Sequence, residues 1–202
     1  MRWLGLAAAI GSLLSASPAP PGSRLKPGAP MPEVSFRSLE GRERTLHQLR
    51  GERRDKIVAV AFWAPGCPWS QAVRGELVAL AREFGPKGVV VALVDPTPGA
   101  ISPALAELER SHRDTVPTLE VLRDTDRSAA DAFGALTTPD VFVIGGDGKV
   151  QYSGRVNDIA HPEKPQAVKR HYVREALEAL LVAKAPLPDR TAPAGTGIRR
   201  TL

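Results

Sequence analysis

A single cysteine, Cys67, stands in the whole chain of 202 residues. It has no second cysteine to pair with, so any covalent sulfur partner belongs to another molecule. Metal chemistry has little to build on. The four histidines, His47, His112, His161 and His171, show no i, i+4 pairing, and no metal-ligand spacing involves Cys67. Asp124, Asp126 and Asp131 are too scattered for a calcium loop. No helix is expected after Gly145-Gly146-Asp147-Gly148, so it is not a phosphate loop. No metal and no cofactor are therefore expected. The net charge is +5, but the excess is spread out and no basic stripe alternates with aromatics. A nucleic-acid partner is not expected from such a surface.

Long apolar runs are also missing. The most apolar end is residues 1–19, where Arg2 precedes a run from Trp3 to Leu14 and then small residues. That run is short for a membrane span. Its order of charge, apolar segment and small residues is that of a secretory signal, so an extracytoplasmic location, periplasmic or secreted, is expected. Membrane contact is expected only if this segment stays uncleaved. Residues 20–32 are rich in Pro, Gly and Ala and read as a linker. Residues 33–185 are enough for one domain with a sizeable core. Residues 186–202, rich in Pro, Gly and Thr, read as a flexible tail.

Within the domain the pattern is organised around residues 57–80, IVAVAFWAPGCPWSQAVRGELVAL. Residues 57–63 are apolar without interruption, as in a strand buried on both faces. Ala64, Pro65 and Gly66 break it. From Pro68 the apolar positions Val73, Leu77, Val78 and Leu80 recur at helical spacing, and proline suits a first helical position. Cys67 is thus expected at a strand-to-helix corner, at or next to the helix N-cap, where free N–H groups and the helix dipole favour thiolate. Further buried strands are expected at residues 89–94 and 141–144, and a helix at residues 103–112. A short helix at residues 129–133 is expected to be capped by Ser128 and closed by Gly134. A long amphipathic helix is expected from about residue 166. This order fits an α/β domain of three layers, a central mixed sheet flanked by helices.

The corner FWAPGCPWS resembles the active-site corner of the thioredoxin-like superfamily, and residues 25–187 resemble redoxin domains of the alkyl hydroperoxide reductase and thiol-specific antioxidant type. The resemblance implies a thioredoxin-like fold and a thiol-dependent oxidoreductase. It implies Cys67 as the nucleophile and Ser70, in the place of a second cysteine, as a hydrogen-bond donor. Pro68 and Trp69 would shape the substrate rim. Thr138 and a cis Pro139 would face Cys67 and offer backbone bonds to an extended substrate. The implied partners are an external thiol or disulfide reductant and a protein or small-molecule disulfide or hydroperoxide.

The departures narrow this. The buried acid of thioredoxins falls on Ala61. The peroxiredoxin proline and threonine fall on Val60 and Ala64, and their activating arginine on Pro139. The short Gly-Cys element near the C-terminus of similar redoxins has Thr196 in place of cysteine. Thiol–disulfide exchange is therefore expected to outrun peroxide reduction. The alternative is a catalytically reduced partner-binding module using the same groove.

Overall fold

Side chains alternate across the strand Ile57–Phe62, and both faces are covered. Ala59 and Ala61 point to one core, Val58, Val60 and Phe62 to another, and all five are fully buried. A strand with two apolar faces needs a layer on each side, which is why the domain has three. The computed structural model describes residues 23–52, 54–163 and 167–200. The expected signal at residues 1–19 lies outside the described residues.

In chain order the elements are β1 (Ser35–Ser38), β2 (Glu43–Thr45), α1 (Leu46–Leu49), β3 (Ile57–Phe62), α2 (Pro68–Phe84) and β4 (Val89–Asp95). Then follow α3 (Pro103–His112), β5 (Leu119–Arg123), α4 (Ser128–Phe133), β6 (Thr137–Thr138), β7 (Asp140–Ile144), β8 (Val150–Gly154), α5 (Tyr172–Leu181) and β9 (Thr196–Gly197). Among the described residues, seven strands form the main sheet in the order β2-β1-β5-β4-β3-β7-β8. Strands β3, β4 and β5 run parallel, and β1, β7 and β8 are antiparallel to their neighbours. The sheet is mixed, as expected. One core packs α2, α3 and α5 on the first face through Val73, Leu77, Leu105 and Leu177. The other packs α1 and α4 on the second face through Leu46, Leu49 and Phe133.

Four local expectations differ from what is observed. Helix α5 begins at Tyr172, later than the pattern suggests. Residues just before it use their backbone elsewhere: Arg170 accepts from Asp158 N–H at 3.1 Å, and Lys169 N–H donates to the Asp158 carboxylate at 3.0 Å. Helix α4 is capped by Asp124 rather than by Ser128, which is its first residue. The Asp124 carboxylate accepts from the N–H groups of Ala129 and Ala130 at 3.1 and 2.8 Å. Part of the expected linker is docked. Leu25 is buried, Gly28 donates to the Val150 carbonyl at 2.8 Å, and Arg24 pairs with the fully buried Asp140. Gly134 makes that docking possible: it sits at φ +63°, and a Cβ there would lie 2.4 Å from the Arg24 Cα.

The fourth difference is the C-terminal segment, expected as a flexible tail. Thr191 N–H donates to the Ser153 carbonyl at 3.0 Å, Ser153 N–H donates to the Asp189 carbonyl at 3.1 Å, and the Thr191 hydroxyl lies 2.7 Å from the Tyr152 hydroxyl. Further on, β9 pairs antiparallel with β6, matching Thr137 to Gly197 and Thr138 to Thr196. Ile198 N–H donates to the Leu136 carbonyl at 3.0 Å. The guanidinium of Arg200 holds Asp131 and the Ala135 carbonyl. Composition alone does not reveal these bonds, because each depends on a partner far along the chain.

Candidate active site

Strand β3 ends where Trp63, Ala64, Pro65 and Gly66 turn the chain towards α2. Trp63 is held inside the turn, its indole N–H donating to the Ser70 carbonyl at 2.7 Å. Cys67 is the N-cap of α2, with Pro68 in the first turn. Its backbone is extended, and the Ser70 hydroxyl accepts from Ala64 N–H at 3.3 Å, leaving the hydroxyl proton free for the sulfur. Ser70 itself is fully buried. The corner therefore holds a thiol at the positive end of a helix of 17 residues.

Two segments from elsewhere in the chain close on the sulfur. The Thr138 carbonyl lies 2.8 Å from Cys67 Sγ, and the Thr196 hydroxyl lies 3.2 Å from it. The Thr138–Pro139 peptide is cis. Cys67 is only 4% exposed, which makes its remaining access route decisive. Burial pushes the thiol up. The hydroxyls of Thr138 and Thr196, with the N–H and hydroxyl of Ser70, outweigh it and bring the thiol down to about 7. The physical reason is that a donor aimed at sulfur favours thiolate. The Thr138 carbonyl can only accept from S–H, so that contact belongs to the thiol form and is lost on ionisation.

A cavity of about 470 Å³ has Cys67 in its wall. Pro65, Pro98, Ala100 and Ile198 give it an apolar lining, and Arg127 and Arg199 also line it. Asp95 lines it too, and burial raises its carboxyl above the usual range while Thr97 N–H and Arg123 pull the other way. Cys67 and Thr138 are thus brought together on this cavity. Ser70 supports the sulfur from behind and does not line it. Pro68 and Trp69 lie outside it: Pro68 is exposed, and Trp69 packs beside His161 with ring centroids 6.2 Å apart. Thr196, Asp95 and Ile198 belong to the site without having been singled out as site residues. Only Thr196 carried a sequence signal, its place in a Gly-Thr-Gly element where similar redoxins have cysteine. Among the described residues, no group of three His, Cys, Asp or Glu side chains is placed to hold a metal.

Comparison with known proteins gives the same outline. The sequence pattern of the AhpC/TSA family matches residues 27–153. No curated protein matches the chain. Among solved structures, a hypothetical protein of Sinorhizobium meliloti is 21% identical, covering 89% of this chain and 97% of its own, with a TM-score of 0.76. The thioredoxin domain of a Bacteroides vulgatus thiol-disulfide oxidoreductase is 18% identical over 62% of this chain and 86% of its own, at a TM-score of 0.50. A peroxidoxin of Mycobacterium tuberculosis is 22% identical over 63% of this chain and 84% of its own, at 0.51. The fold is thioredoxin-like.

Proposed function

The chain belongs to the AhpC/TSA family, and we propose that it is a thiol-dependent oxidoreductase in which Cys67 is the single nucleophile. The observation that carries this reading is the convergence on Cys67 Sγ of the α2 N-terminus, Ser70, Thr138 and Thr196, which lowers the thiol to about 7 beside an open cavity. Near neutral pH about half the thiol is then thiolate, the attacking species.

In the main reaction the thiolate attacks one sulfur of a disulfide R–S–S–R′. A Cys67–S–S–R bond forms, the R–S–S–R′ bond breaks, and R′S⁻ leaves. An external thiol R″–SH then attacks the R sulfur of the adduct. It leaves as R–S–S–R″, loses its proton to solvent and returns Cys67 as thiolate. Ser70 and the α2 N-terminus stabilise the thiolate as attacking and as leaving group. Towards a hydroperoxide the same thiolate takes one oxygen and becomes a sulfenic acid, releasing an alkoxide that solvent protonates. Ala64 and Pro139 replace the residues that similar proteins use to polarise a peroxide, so disulfide exchange is the faster reaction. The order of charged, apolar and small residues in 1–19 supports exchange outside the cytoplasm.

The test is trapping. Full-length protein is incubated with a disulfide, without added thiol, and weighed by mass spectrometry beside Cys67→Ser. One stable adduct per chain, absent from the serine variant and released by added thiol, is the expected result. No adduct on the folded chain, when the unfolded chain forms one, would overturn the oxidoreductase reading in favour of a partner-binding module.

A further inference from the structure

An extended polypeptide that reaches a buried thiol does so by pairing with a free strand edge beside it. The edge beside Cys67 is β6, whose Thr138 carbonyl touches the sulfur at 2.8 Å. In this protein that edge is already taken. Strand β9 pairs with it antiparallel, Thr196 opposite Thr138. Thr196 therefore stands where a paired substrate chain would place its own cysteine, and its hydroxyl is 3.2 Å from Cys67 Sγ. The approach is close because residue 195 is glycine: a Cβ there would lie 2.2 Å from the Thr138 oxygen and 3.0 Å from Pro139 N. The strand is anchored on both sides, by Thr191 on the Tyr152 hydroxyl and by Arg200 on Asp131.

With the strand edge occupied, the cavity between the Pro65 turn, Pro98, Ala100 and Ile198 still opens onto the sulfur. Its volume of about 470 Å³ is that of a small-molecule site, and the lining at Pro65, Pro98, Ala100 and Ile198 is apolar. Resting on the thiol-exchange reading above, we propose that Cys67 acts on small apolar disulfides admitted through this cavity, and that β9 excludes polypeptide disulfides by occupying the edge they would pair with. The step is the exchange already written, with R and R′ small apolar groups and an external thiol as the second reactant.

Two probes with the same reactive bond test this on the full chain. One is a butyl 2-pyridyl disulfide. The other is an unstructured decapeptide whose central cysteine carries the same 2-pyridyl disulfide. Both release pyridine-2-thione, followed by absorbance, and rates are divided by the thiolate fraction of each protein. The wild-type chain is expected to react about tenfold or more faster with the butyl probe, because the peptide must first displace backbone bonds of β9. Two variants free the edge: a chain ending at Ala194, and full-length Gly195→Val, which drives a side chain into the Thr138 carbonyl. In both, the peptide rate is expected to rise about tenfold, whereas the butyl rate gains nothing, because Thr196 and Ile198 leave the cavity wall with the strand. Far-ultraviolet circular dichroism and the thiol titration confirm that each variant is folded, and if one is not, the other decides. Equal wild-type rates for the two probes, or a peptide rate unmoved in the folded variant, would overturn the proposal while leaving the exchange reading intact. A folded chain inert to both probes would overturn the exchange reading itself.

Discussion

Thr196 Oγ1 lies 3.2 Å from Cys67 Sγ although 129 residues separate them in the chain. The strand pairing of Thr196 with Thr138 sets that distance, so a hydroxyl from the end of the chain reaches the nucleophile at the start of α2. Thr196→Val keeps the strand propensity and removes the hydroxyl. The Cys67 thiol is then expected to rise from about 7 by about one unit, the worth of one hydrogen bond to a charged sulfur. The pH dependence of iodoacetamide alkylation measures it. An unmoved midpoint would show that Thr196 does not stabilise the thiolate.

The same distance predicts a gain of chemistry. Thr196→Cys places a second sulfur beside the first. A mixed disulfide on Cys67 then has an attacking thiol within the chain, and its lifetime is expected to fall by at least about tenfold, since the attack becomes intramolecular. Mass spectrometry of the adduct over time, in both forms and without added thiol, checks this. Equal lifetimes would mean that residue 196 does not reach the sulfur in solution.

The lowered Cys67 thiol has a consequence for stability. Its folded value, about 7, lies below the ordinary 9.0. Folding therefore favours the thiolate. That contribution is complete above the unfolded value and is lost as pH falls through about 7. Urea midpoints measured between pH 6 and pH 9 should rise for wild type relative to Cys67→Ser. Parallel curves for the two proteins would contradict the lowered value.

Asp124 behaves in the opposite sense. Burial raises its carboxyl to about 6 from 3.8, against the pull of the Ala130 and Ala129 N–H groups. Its contribution is complete below the unfolded value and is lost as pH rises through about 6. Asp124→Asn should abolish this slope between about pH 4 and pH 6, read from urea midpoints. Asp124→Ala should also cost about 1–2 kcal/mol by leaving the α4 N–H groups without their acceptor.

Arg24 and Asp140 form a pair whose side chains are 15% and 0% exposed, so the carboxylate has no water to fall back on. Asp140 also accepts from Leu136 N–H at 3.0 Å, next to β6. Arg24→Met should destabilise the domain by about 3–5 kcal/mol, and adding Asp140→Asn should recover part of that by removing the buried charge. Denaturant unfolding of the single and double variants tests it. A double variant no better than the single would show that packing of Arg24 over Phe142, 4.7 Å from the ring, is the larger effect.

Much of this was legible from local pattern. The uninterrupted apolar run at residues 57–63 dictates a strand buried on both faces, and Pro68 after Cys67 dictates where α2 starts, because burial of alternating side chains and the missing proline N–H are local constraints. Those two facts place the thiol at a helix N-terminus without any knowledge of the rest of the chain. The tertiary structure alone decided what surrounds it. Thr138 and Thr196 meet Cys67, and Asp95 lines the same cavity, only because β7 and β4 flank β3 and because β9 finds a free edge on β6. Trp69, expected at the rim from its place beside Cys67, packs next to His161 and is not part of the cavity wall. The segment after Ala185 has the composition of a loose tail, and no local rule could show otherwise. Its order comes from hydrogen bonds to residues dozens of positions away, and such bonds depend on where the fold leaves a strand edge unpaired.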